Sequence, residues 1–339
     1  MAKRIRVDYN NDVKELFRDV LIKGTQWSQE LKLLSFCDSA TEPTWIPDFH
    51  QVQGMRPIFT GQSGLASDVE GKTIDPARIV FQGIHYDIIT ELIGPSGLQE
   101  TSQEEALQII IKSAAYFLGP DPDVWEEERV KLFFLAALVN DVHLYSYHAG
   151  TLKSCLASGV RGEGKFPDMQ GLQFTYFLAG RSLYKTRMGY VTLGPEGCEP
   201  GDIVCVFLGS HRPIILSPAS NGEYRVKGAA THPALYFGEA LLGELPKGWR
   251  LRYTTLTLAP VFESPDGNQQ RIDPRLDGIP LPEGKELRWR RNGTPYWYTA
   301  ETDCWTDLDP RATMSELLNR GVRIEGFSLI QSAVRDRMY

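Results

Sequence analysis

At 339 residues, with 42% hydrophobic and 23% charged side chains, the chain has the make-up of a globular protein able to bury a substantial core. A formal net charge of −7 argues against a general nucleic-acid surface, because phosphate binding runs on Lys and Arg. No apolar run approaches the roughly 20 residues of a bilayer span, and the N-terminus lacks a secretory h-region, so the expectation is a cytoplasmic protein. Five dispersed cysteines without CxxC spacing predict buried thiols rather than a disulfide framework or a zinc site.

The first helix is signalled by Asn10 or Asn11 as cap and by Val13, Leu16, Phe17, Val20 and Leu21 at helical spacing, with Gly24 as its end. A short amphipathic piece, Ser28 to Phe36, follows. Pro43 and Pro47 then hold Trp45 and Phe49 in an extended path. Residues 51 to 77 read as a surface loop, and Arg78 to Asp87 alternates as a strand. Glu104 to Phe117 reads as a helix, and Asp123 as the cap of a longer one running past Leu132 and Val139 to His143. Residues 157 to 165 are glycine-rich and read as a loop, and Met169 to Ala179 as a further helix.

From Gly180 the pattern changes to short apolar runs punctuated by Gly and Pro. Ser182 to Leu193, Ile203 to Leu208 and Ile214 to Leu216 predict strands. Tyr224 to Gly228 and Leu251 to Leu258 add two more. Ala234 to Leu242 reads as a helical turn or two, and residues 263 to 284 as a loop or extended excursion. Asn292-Gly293 between two aromatic-basic runs, within Leu287 to Thr299, is the strongest hairpin signal. Ala312 to Asn319 reads as a short helix, and Val322 to Leu329 as a last strand. The layout predicts an α+β fold, a helical N-terminal half packed on a mostly antiparallel, β-rich C-terminal half. The expected organisation is residues 1–179, mainly helical with one strand near 78–87, and residues 180–339, β-rich, in one integrated unit.

Three runs together resemble a known family: Gly180-Arg181-Ser182-Leu183-Tyr184, Gly189 to Pro195 and Pro200 to Val206. They are similar to the region that follows the HET domain in fungal heterokaryon-incompatibility proteins, with its G-R, G-Y-x-G-L-G-P and P-G-D-x-V segments. Pro43 to Asp48, Tyr236 to Leu241 and Asp309 to Val322 match further segments in the same order, and Thr192 stands where a Gly is usual. The S-Y-x-W-G and I-D-x-x-C-I-N-Q segments of the HET domain do not occur in the sequence, so the resemblance implies a post-HET region without the signalling domain. Such a chain also resembles norbornene-forming intramolecular Diels–Alderases of fungal terpenoid biosynthesis.

The densest set of polar and aromatic donors is Asn140 to His148. On a helix, Asp141 and His148 share a face, as do His143 and Tyr147. They read either as a pocket wall offering donors to a ligand carbonyl or as a helix end satisfying its own backbone. Arg181 reads either as a clamp for a carboxylate or as a tie between the last helix and the sheet. Trp45, Phe49, Tyr176 and Tyr190 line either a cavity or the core. No G-x-S-x-G elbow exists, since Ser63 sits in GQSG. Gly159 to Gly164 lacks the G-K-[ST] ending of a phosphate loop. The arginine-aromatic hairpin reads as a charge-protected edge more readily than as a nucleic-acid surface.

The resemblance implies, as the leading expectation, a cofactor-independent cyclase of the pericyclic type acting on a small hydrophobic, terpenoid-like substrate, and the lack of nucleotide, metal and nucleophile signatures fits such an enzyme and a non-enzyme alike. Such an enzyme works by folding its substrate in an apolar pocket and donating to a carbonyl. The nominated donors are Tyr145, His148, Tyr176 and Arg181, with Trp45, Phe49, His143, Tyr147 and Tyr190 shaping the pocket. The expectation includes no metal, no nucleic-acid partner and no membrane span. The rival is a non-enzymatic interaction or regulatory module of heterokaryon incompatibility.

Overall fold

The computed structural model describes residues 12–28, 30–37, 44–47, 63–64, 72–75, 78–93, 103–127, 129–130, 132–133, 149–163, 180–253, 260–291 and 293–330. Its organising element is a 15-residue strand, β2 (Arg78–Leu92), preceded by β1 (Lys72–Asp75), which pairs antiparallel with its start. Five more strands follow the helices: β3 (Arg181–Thr186), β4 (Val191–Pro195), β5 (Ile203–Phe207), β6 (Ile214–Pro218) and β7 (Glu223–Ala229). The last described strand, β14 (Glu325–Leu329), lies parallel to β7 and antiparallel to the first half of β2.

That double pairing closes a ring, β2-β5-β6-β7-β14. The second half of β2 runs on to β3 and β4, and Leu193 of β4 exchanges backbone hydrogen bonds of 3.0 and 2.8 Å with Thr231, just past β7. A second ring therefore closes through β2, β3, β4, Thr231, β7, β6 and β5, sharing its β2-β5-β6-β7 wall with the first. Both sides of β5 are buried, as a shared wall requires, and all five of its residues are apolar. One core contains Phe81, Phe207, Leu216, Val226 and Phe327, one residue from each strand of the first ring. Phe207 makes edge contacts with Phe81 (6.0 Å) and Phe327 (5.6 Å). The other core gathers Ile89, Tyr184, Val204, Val206 and Ile215 in the second ring.

Helices cover this scaffold. The helix α1 (Val13–Ser28) and a 3₁₀ turn (Lys32–Phe36) bring Leu21, Leu31 and Leu34 into the first core. Helix α1 does not end at Gly24; instead Leu33 approaches so closely there that a β-carbon would meet its Cδ1 at 3.1 Å. Helices α2 (Gln103–Leu118) and α3 (Ala149–Val160) pack Ile110, Ala114 and Leu156 onto Leu183, Val191 and Leu193 of the β3–β4 hairpin. The expectation of a loop from residue 157 is corrected: Cys155, Leu156 and Ala157 are buried in α3, and Gly162 (φ +71°) lies just past its end. Asp121, rather than Asp123, caps a 3₁₀ turn at Pro122–Val124, and the described helical residues after it reach Phe133. The rest of the expected long helix and Met169 to Ala179 lie outside the described residues.

The remaining strands form two small antiparallel sheets. One joins β8 (Arg250–Tyr253), β9 (Pro260–Glu263) and β10 (Gln269–Gln270). The other joins β11 (Lys285–Trp289), β12 (Pro295–Thr299) and β13 (Cys304–Thr306). The hairpin expected at Gly293 is present, with Gly293 at φ +75°. Helices α4 (Glu239–Leu242) and α5 (Met314–Asn319, capped by Thr313) share a fourth core with Leu208 and Leu276. The architecture is α+β with a mostly antiparallel C-terminal half. All five cysteines are buried and none is in a disulfide, and among the described residues no helix is long and apolar enough to cross a membrane.

Candidate functional site

Beyond its pairing with β1, the ladder of β2 breaks twice. Against β5, Tyr86 is an extra residue between His85 and Asp87; against β3, the register shifts between Ile89 and Glu91. A bulge re-aims its side chains, and the first one sets Tyr86 and Asp87 beside the closure of the second ring. There His232, next to Thr231, packs edge-on to Tyr86 (5.4 Å) and Tyr190 (4.9 Å). The imidazole Nε2 lies 3.9 Å from Asp87 Oδ2, and neither side chain has exposed area. That gap exceeds hydrogen-bond reach, and both atoms lack a hydrogen-bond partner.

The remaining capacity of the pair is spent on backbone. Asp87 Oδ1 accepts from the N–H of Ile88 (2.7 Å) and of Met188 (3.2 Å), which joins β2 to the β3–β4 turn. Burial raises the Asp87 carboxyl, but the neighbouring imidazole, Thr186 and these two amides outweigh it and hold the group below its ordinary range. His232 Nδ1 accepts from the N–H of Ala234 (3.2 Å), which assigns the ring proton to Nε2. Burial holds the imidazole below its ordinary value despite the carboxylate. Burial, with Tyr190, Glu239 and Asp87 near it, pushes the Tyr86 phenol up to about 12, so it stays a neutral donor.

Tyr86 also faces a groove of about 630 Å³. Its walls are Ile84 to Tyr86 of β2, Arg187 of the β3–β4 turn, Glu239 to Gly243 of α4, and the connection from Arg320 to Glu325 that leads into β14. Arg320 is spent on Glu316 (2.7 Å) and on the Arg275 carbonyl (3.1 Å). Arg187 and Arg323 are exposed, and their side chains have no partner among the described residues. His85 and Glu325 are exposed on the same rim, while Glu239 accepts from the N–H of Phe237 (2.7 Å) and is pushed up by burial. Arg275 fixes this wall: it pairs with Asp273 (2.6 Å) and donates to the carbonyls of Phe237 and Gly243, both at 2.5 Å.

Residues 141–241 match the family model of the Het-6 beta-barrel domain. The match takes in β3 to β7, the Thr231 closure and the first residues of α4. It links the chain to HET-type proteins of fungi. The long strand β2 and the closing strand β14 lie outside it, so both rings are completed by residues beyond the matched segment. No curated protein matches the chain.

Of the residues nominated from sequence, Tyr190 stands at the Asp87–His232 pair. Arg181 is half-buried and donates to the Ala229 carbonyl (3.4 Å), across to the end of β7. Trp45 is fully buried in the first core, and its carbonyl accepts from the Cys37 thiol. Phe49, His143, Tyr145, Tyr147, His148 and Tyr176 lie outside the described residues. Ser63 of the GQSG run is buried and donates to the Leu235 carbonyl, while Gly64 bonds to Gly209 and Ser210. In the hairpin, Arg288 lies over Tyr298 (3.7 Å) and pairs with Glu286, and Arg290 lies over Trp305 (4.9 Å) and pairs with Asp307.

Sequence reasoning missed Asp87, His232, Tyr86, Arg187 and Arg323. Asp87 carried a usable signal, a carboxylate at a buried position of an alternating strand next to Ile88 and Ile89, which demands buried donors.

Proposed function

We propose that the chain is a recognition module of the heterokaryon-incompatibility type, in which the joined rings are a rigid scaffold and the groove beside Tyr86 receives a partner. The charged rim of the groove carries this reading, and the buried pair removes only acid–base chemistry. The constellation most like an acid–base relay, Asp87 with His232, has no exposed side-chain area and spends its remaining bonds on the backbone that closes the second ring. A general base must reach the proton it moves; this pair reaches only its own fold. The groove, with Arg187, Arg323, His85 and Glu325 on its rim, suits a charged partner better than a hydrocarbon. The match to the Het-6 beta-barrel domain supports the same reading.

The competing function is the pericyclase, similar to the norbornene-forming Diels–Alderases, with donors at Tyr145, His148, Tyr176 and Arg181. Purified protein incubated with candidate linear terpenoid dienes separates the two. The recognition module leaves rate and product ratio at those of the spontaneous reaction. Acceleration or altered stereochemistry that disappears in Arg181→Leu establishes the enzyme instead.

A further inference from the structure

The turn between β5 and β6, Leu208 to Pro213, is clamped from several sides. Gly209 accepts from Leu31 N–H and donates to the Gly64 carbonyl (2.8 and 2.7 Å), and Ser210 accepts from Gly64 N–H (2.8 Å). Ser210 Oγ donates to the Arg212 carbonyl (2.6 Å) and accepts from its N–H (3.3 Å). This frame fixes the backbone of Arg212, whose side chain is a physical anomaly. Arg212 is 8% exposed, its Nη2 has no hydrogen-bond partner, and no carboxylate among the described residues pairs with it. The next residue back, His211, has such a partner, Glu30 at 3.3 Å.

A buried guanidinium without a counter-charge is costly, and the cost is removed only by an anion that also takes its hydrogen bonds. A second guanidinium is carried close by. Arg181 donates to the Ala229 carbonyl, and the next residue, Ala230, donates to the Pro213 carbonyl (2.8 Å), so Arg181 and Arg212 are carried by adjoining backbone. The two cations act on each other: burial, reinforced by Arg181, holds the Arg212 guanidinium well below its ordinary range. The Tyr236 phenol acts in the opposite direction and offsets only part of this. Two guanidinium forks, one on a clamped turn and one at the start of β3, are the kind of donor set with which carboxylates and phosphates are held.

We propose that Arg212, with Arg181 beside it, is a binding site for an oxyanion, the carboxylate or phosphate group of a small ligand entering on the half-exposed Arg181 side. The site is separate from the groove beside Tyr86 and does not depend on what that groove binds.

Thermal unfolding of the purified protein tests this in sodium phosphate and in sodium acetate, each against sodium chloride at equal ionic strength. A ligand that binds only the folded state raises Tm saturably. The expected result is such a rise with at least one of the two oxyanions. Phosphate alone identifies a phosphate-ester site, and acetate alone a carboxylate site. Arg212→Met is expected to be at least as stable as wild type in chloride, because it removes an uncompensated buried charge, and to lose the oxyanion response. Arg181→Met is expected to keep the fold and weaken binding about tenfold or more, the usual loss for one charged hydrogen-bonding group. The proposal is overturned if neither oxyanion gives a saturable rise. It is equally overturned if Arg212→Met unfolds well below wild type in chloride, or if it responds to oxyanions as wild type does.

Discussion

His232 and Asp87 set the pH behaviour of the second ring. The folded imidazole is held below its ordinary 6.5, so as pH falls past that value the unfolded chain takes up a proton that the folded chain refuses. Stability is therefore full above about pH 7 and declines downward from 6.5, by up to roughly 1.4 kcal/mol per pH unit, until the folded imidazole also protonates. The Asp87 carboxyl is held below its ordinary 3.8, so a second loss of the same sign begins as pH falls through that region. His232→Gln, whose side-chain oxygen can still accept from Ala234, is expected to flatten the slope between pH 7 and 5 and to keep the loss near pH 3.8. Urea midpoints across pH check this. An unchanged slope between pH 7 and 5 in the variant would remove His232 from the account.

At the scale of elements, the shared strand β2 has no room for added volume where it meets β5. A β-carbon on Gly83 would lie 2.7 Å from the Val206 carbonyl oxygen and 2.9 Å from Phe207 Cδ1. The carbonyl is part of the β2–β5 ladder and has no room to retreat. Gly83→Ala is expected to cost about 1–3 kcal/mol, the usual penalty of overpacking, measured as a lower urea midpoint with little change in secondary structure. A neutral result would mean that β2 and β5 are less tightly joined than their register implies. The same strand explains what was legible in the sequence. Arg78 to Asp87 reads as alternating, but the strand continues to Leu92, because the extra residue at Tyr86 and the shift near Thr90 move the period by a residue. Ser182 to Leu193 reads as one strand, whereas the turn at Arg187 to Tyr190, with Gly189 at φ +86°, folds it into two. The glycines past Leu156 read as a loop although α3 runs to Val160, since burial of Cys155 to Ala157 outweighs glycine's weak propensity.

Across the whole molecule, local signals gave the α+β layout, and long-range pairing gave the site. Tyr190 was visible as an aromatic in a turn. Its partners Asp87 and His232 are brought together only by ring closure, through the Leu193–Thr231 bridge that no local pattern announces. The groove is likewise made from β2, the β3–β4 turn, α4 and the lead into β14, four segments far apart in the chain. Arg187 and Arg323 are ordinary surface arginines in the sequence; only the fold puts them on one rim of a chain whose net charge is −7. Two such arginines on a rim that also carries Glu325 would attract an anionic group of a partner and steer its approach. Because both side chains are exposed and unpaired among the described residues, reversing their charge is expected to leave Tm within about 1 °C of wild type, as surface substitutions usually do.

The most direct measurement is an incompatibility assay in a fungal strain expressing wild-type protein, the Arg187→Glu/Arg323→Glu double variant, or His232→Gln. Recognition through the groove predicts that wild type alters colony fusion, that the double variant loses the effect while unfolding at the wild-type temperature, and that His232→Gln retains it. A double variant as active as wild type, or a wild type without effect, would contradict the account.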